Sequence, residues 1–84
     1  MDPSSFATAV MAYCSAMTAS VTSWGRTGLH NHNVGGVEGS FHVVWLAVDV
    51  VYDEPPPVEH RRLAALRLGL KLVVEKDHDH LQPF

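Results

Sequence analysis

An α+β fold, a small antiparallel sheet with helices packed on one side, is predicted by three features of this 84-residue chain. Phe6, Val10, Tyr13 and Met17 recur at helical spacing and make one apolar stripe. Short β-branched or apolar runs at 20–24, 46–52 and 70–74 have the length and residue types of strands. Between the second and third runs, three prolines open a segment of helical character. The length suits one domain, residues 1–84, with no internal repeat and no second unit.

Each element has a local cause. Ser4 or Ser5 is placed to cap the first helix, whose stripe is read as core packing. Ser20–Trp24 is a short strand. Residues 25–39 hold five glycines and the triplet Asn31-His32-Asn33, which predicts a long irregular loop. Loops of that length in small domains are usually functional. Leu46–Tyr52 reads as a buried strand interrupted by one charge, Asp49. A carboxylate there is costly unless paired or bound to a metal. Asp53-Glu54-Pro55-Pro56-Pro57 ends that strand and suits a helix entry. The second helix runs to about Leu68 with Leu63, Leu66 and Leu70 inward, and Gly69 is a suitable residue beyond its end. Leu70–Val74 and His78–Gln82 follow as strands.

Composition narrows the function classes. A chain this short gains stability from a metal, a disulfide or a partner. With one cysteine, Cys14, no internal disulfide forms, and that residue reads as a small buried hydrophobe. Net charge is −3, which argues against a nucleic-acid binder. No apolar run is long enough to span a bilayer. Asp2 and the lack of a basic residue before the first apolar stretch argue against a secretory signal.

The chemistry concentrates in two places: Ser40-Phe41-His42 through Asp49, and Glu75-Lys76-Asp77-His78-Asp79-His80. Hydrolytic zinc sites take three ligands from His, Asp or Glu and keep a position for water. A nearby carboxylate then removes the proton of that water. His42 and Asp49 are seven apart, so they reach one metal only if the chain turns between them. His78 and His80 share a face on a strand, and Asp77 falls at the bend where that strand begins.

These segments resemble the zinc D-alanyl-D-alanine carboxypeptidases and the related L-alanyl-D-glutamate peptidases of phage endolysins. The family pattern is S-x-H-x-x-G-x-A-x-D, followed by an acid three residues before a histidine, often as D-H-x-H. Ser40, His42, Ala47 and Asp49 match the first part; Asp77, His78 and His80 match the second. Arg26-Thr27 and Val34-Gly35-Gly36 also resemble the compact phage members, so the resemblance covers roughly residues 20–84. It implies the fold shared by DD-peptidases and hedgehog domains. It implies a Zn2+ ion held by His42, Asp49 and His80, with Asp77 as general base and His78 as a donor to the oxyanion. Arg26 would hold a substrate carboxylate, and Ser40 would orient a ligand. The substrate implied is a peptidoglycan stem peptide. No localisation follows from the residues; the phage members suggest a protein of the host cytoplasm that meets the cell wall after release.

The family glycine is replaced here by Trp45, which removes backbone freedom and adds a large ring near the expected metal. That departure keeps a second expectation open, a noncatalytic zinc-binding structural or virion-associated protein of the same fold. A second register is also open, with Glu75 as base and His78 as ligand, because these too are three apart. His30-Asn31-His32 is read as loop chemistry and His60 as an exposed helix residue. The peptide bond that is cut and the oligomeric state are not written in these motifs.

Overall fold

A computed structural model describes residues 1–25 and 46–84. Helix α1 spans Pro3–Met17 and is followed by strand β1, Ala19–Gly25. Strand β2 spans Ala47–Tyr52, helix α2 Val58–Arg67, β3 Leu70–Val74 and β4 Asp79–Pro83. The sheet is fully antiparallel, in the order β1-β2-β4-β3. The coarse expectation of a small α+β domain therefore holds. Arg26, Ser40, His42, Trp45 and most of the glycine-rich segment, including His30 and His32, lie outside the described residues.

Helix α1 starts two or three residues earlier than a cap at Ser4 or Ser5 would place it. Asp2 is the cap, and its carboxylate accepts from the Ser5 N–H at 2.7 Å. Pro3 fills the first helical position, where no N–H is needed. The helix ends at Thr18, whose φ of 52° is left-handed and whose N–H donates to the Cys14 carbonyl. Phe6, Val10 and Tyr13 are fully buried as the stripe predicts; Met17 and Cys14 are partly buried against the same core. Phe6 also meets Trp24 in a T-shaped contact, with ring centroids 5.6 Å apart.

The second helix corrects an expectation. Leu63 and Leu66 are 47% and 55% exposed, not inward. Ala65 is the buried residue of α2, with Ala64 and Leu68 beside it. A face of small side chains lets the helix axis approach its neighbours closely, and the leucines then fall on the outer side. Gly69 ends the helix with φ +77°, and Leu70 turns inward as the first residue of β3.

Both helices share one core with the same face of the sheet. Val48 and Val50 of β2, Leu70 and Leu72 of β3 and Leu81 of β4 point toward it. The period-two alternation puts the residues between them on the other face. Register does the rest: Val48 pairs with Leu81, Asp49 with His80, and Val50 with Asp79. Asp49 is thus not a carboxylate in a strand buried on both sides. It projects from the face away from the core and is partly exposed. The carboxylate that is buried is Asp79, at 1% exposure.

Candidate metal and proton-transfer site

The pairing of β2 with β4 brings two of the expected metal ligands together. Asp49 Oδ1 lies 3.2 Å from His80 Nδ1 across the register pair. His78 reaches the same oxygen, with Nε2 at 3.8 Å. His78 precedes β4 and sits in the turn after β3, so its approach comes from that turn rather than from a shared strand face. The turn is closed by the Glu75 N–H donating to the His78 carbonyl at 3.0 Å. Asp49 and His80 lie on the two central strands, so the cluster sits over the middle of the sheet and not at its edge.

Two further side chains hold the imidazoles. Asp77 Oδ1 lies 2.8 Å from His78 Nδ1, although the Asp77 side chain is 87% exposed. This hydrogen bond lowers the carboxyl pKa of Asp77 and raises the imidazole pKa of His78. Nearby Asp49 adds to the second effect by its charge. Gln82 Oε1 lies 2.9 Å from His80 Nε2. On the adjacent strand the β1 register shifts between Val21 and Ser23, and the Thr22 hydroxyl donates to the Asp49 carbonyl at 3.4 Å. A bulge of this kind re-aims neighbouring side chains, and such bulges are frequent beside active sites.

The two donors that meet here, a carboxylate oxygen and an imidazole nitrogen, are of types that zinc takes. Zn–N and Zn–O distances of about 2.0–2.1 Å make the edge of a coordination tetrahedron roughly 3.3–3.4 Å. The Asp49–His80 separation of 3.2 Å is close to that edge, while the 3.8 Å to His78 is longer. Among the described residues no group of three His, Cys, Asp or Glu donors is disposed to hold a metal. The third ligand that the motif implies is His42, which lies outside them, as do Arg26 and Ser40.

Behind the site, on the core side of β4, runs a network that the motif does not contain. Arg61 Nη1 donates to Asp79 Oδ2 at 2.5 Å, and the Tyr52 hydroxyl donates to the same oxygen at 2.6 Å. With its proton so used, the Tyr52 oxygen accepts from the Tyr13 hydroxyl at 2.7 Å. Arg61 also donates through Nε to the Pro56 carbonyl at 2.8 Å and stacks its guanidinium 5.2 Å from the Tyr52 ring centre. The network anchors Asp79 between His78 and His80, so it fixes the start of β4, from which His80 projects and which His78 immediately precedes. A cleft of about 350 Å³ opens beside it, lined in part by Tyr52, Arg61, Lys76, Asp77 and His78. A signal for this network is present in the chain: Asp79 shares the parity of buried Leu81, and a buried carboxylate demands a cation.

No family model matches the chain, nor does any curated protein or solved structure match it at the significance expected of a relative. None of the described helices is long and apolar enough to cross a membrane.

Proposed function

We propose that the protein is a zinc metallopeptidase that hydrolyses a peptide bond in peptidoglycan stem peptides, as a carboxypeptidase or endolysin. The observation that carries the reading is the juxtaposition of Asp49 and His80 at near-tetrahedral-edge separation. Residues 31 apart in sequence meet because β2 pairs with β4, and they are two of the three ligands of the resembled family. His42 would complete the set. The DD-peptidase and hedgehog type of fold is part of the same proposal.

Zinc, when bound, supplies Lewis acidity to the scissile carbonyl and acidifies the attacking water. The rest is the work of the chain. Asp77, kept ionised by its bond to His78, accepts the proton of the attacking water and delivers it to the leaving amine. His78, kept protonated more readily by Asp77, donates from Nε2 to the developing oxyanion. Arg26 holds a substrate carboxylate and Ser40 orients a ligand. The preferred register, Asp77 with His80, is favoured over Glu75 with His78 because His80 approaches Asp49 more closely.

Trp45, in place of the family glycine, favours one other reading: a noncatalytic zinc-binding structural or virion-associated protein. One experiment separates the two. Zinc is measured per chain, and stem peptides digested with the protein are examined by mass spectrometry. One equivalent of zinc with a defined cleavage product is expected. Zinc without any product transfers the proposal to the noncatalytic protein, and absence of zinc overturns both.

A further inference from the structure

We infer that β3 is the dimer edge of this protein: two copies pair there antiparallel about a two-fold axis at Leu72, so that one sheet runs through both. The pairing needs no metal. Strands β1 and β3 are the two edges of the sheet. An edge strand offers a row of unpaired N–H and C=O groups, and proteins usually blunt it with a bulge, a proline or a cover. β1 has such a bulge, between Val21 and Ser23. β3 has none: its five residues pair with β4 in one unbroken register. The bonds at the two ends of that register tell which backbone groups of β3 are used. The Glu75 N–H donates to the His78 carbonyl, and the Phe84 N–H to the Gly69 carbonyl. Both pairs continue the β3–β4 register, in which bonded and nonbonded positions alternate. Lys71 and Val73 therefore turn their backbone groups to β4, and Leu70, Leu72 and Val74 turn theirs outward. Among the described residues one side chain meets this outward row. Arg62 Nη1 lies 3.5 Å from the Leu72 carbonyl, at the long limit of a hydrogen bond.

The occupant that fits this edge is a second copy of the chain. With Leu72 opposite Leu72, Leu70 falls opposite Val74 and Lys71 opposite Val73. The outward groups of Leu70, Leu72 and Val74 are then all paired. Val74, which is 38% exposed, gains Leu70 as its neighbour, and no like charges stand directly opposite each other. The helix beside the strand is apolar on the same side. Leu66 lines a groove of about 240 Å³ with Arg62, Leu70, Leu72 and Phe84. Leu63, Leu66 and Phe84 are all exposed. The two-fold lays the α2 helices of the two copies antiparallel. Glu59, in the first turn of one, is thereby set toward Arg67, in the last turn of the other. Opposite charges meet at both ends of the helix pair, with the leucines between them. A self-complementary patch is what a two-fold interface requires. It also gives an 84-residue chain with a single cysteine a support other than a disulfide.

Sedimentation velocity of the full chain, from micromolar to millimolar concentration, reads the oligomeric state, and amide hydrogen exchange reads the edge. A monomer–dimer equilibrium is expected. The amides of Leu70, Leu72 and Val74 should gain protection as the dimer forms, while those of Lys71 and Val73 are protected in monomer and dimer alike. Leu66→Lys puts a charge among the leucines at an exposed position and should weaken the dimer by about tenfold or more. Val74→Pro removes an outward N–H and should abolish the dimer while β3 still pairs with β4, since proline is tolerated on the outer side of an edge strand. Glu59→Arg alone should weaken the dimer, and Glu59→Arg with Arg67→Glu should recover it. A chain that stays monomeric at millimolar concentration overturns the inference. So does a dimer in which the three outward amides exchange freely, or one that Leu66→Lys leaves as tight as the parent. A monomer whose outward amides are already protected gives the edge to another occupant, a segment of the same chain or a co-purified peptide, and overturns it as well.

Discussion

His80 carries more of the proposed chemistry than any other described residue, since its two ring nitrogens face Asp49 and Gln82. His80→Ala should lose zinc and lower the melting temperature, because metal binding and folding are coupled in small domains. Zinc retained at one equivalent would refute the ligand assignment. Asp77→Asn should behave differently. It should keep zinc while hydrolysis falls by about 10²–10⁴-fold, the usual contribution of a general base. Glu75→Ala is its control, and an inactive Glu75 variant beside an active Asp77 variant would establish the other register. Asp49 and His80 were named together only through the resembled family's two-part pattern, which needs no knowledge of the strands between. Asp79 was harder to read: its one signal is the parity it shares with Leu81, and D-H-D-H by itself does not say which residue faces the core. That distinction comes from strand pairing: Asp79 opposes Val50, and His80 opposes Asp49.

At the scale of elements, β-strands and the first helix were readable from local pattern, since their apolar residues repeat at the period of the structure they form. Helix α2 was not. Its leucines suggested an inward face, yet the helix packs through Ala65 and leaves Leu63 and Leu66 outside. Side-chain size misled there, because close approach of a helix to its neighbours selects for small residues that hydropathy patterns underweight. The step from α2 into β3 has a sharper constraint. Gly69 holds φ +77°, and an added Cβ would meet Met1 Cε at 3.1 Å. Gly69→Ala should therefore destabilise the fold by roughly 1–2 kcal/mol, mostly from the left-handed backbone. Chemical denaturation with an unchanged slope would read this directly. A neutral result would mean that the turn relaxes to another conformation without disturbing β3.

For the whole molecule, stability and site are joined through the Tyr13–Tyr52–Asp79–Arg61 network, which ties α1, β2, α2 and β4 together. Arg61→Met would leave the Asp79 carboxylate buried without its cation. Breaking a buried pair from one side costs about 3–5 kcal/mol, a large part of the roughly 5–15 kcal/mol that holds a domain together. The same network sets the response to alkali. Burial raises the pKa of both Tyr13 and Tyr52, and the hydrogen bond to Asp79 raises Tyr52 further. A pKa raised in the folded state means that the unfolded chain releases its proton first. The stabilising contribution is thus complete below about pH 10, the value of a free tyrosine, and is lost as pH rises above it toward the folded values. These are the only two tyrosines in the chain, so phenolate absorbance reports on the network alone. Absorbance and far-ultraviolet circular dichroism should change together, in one cooperative step above pH 10. Phenolate appearing near pH 10 with the circular dichroism still native would show that the two hydroxyls are open to solvent and that Asp79 is not held as described.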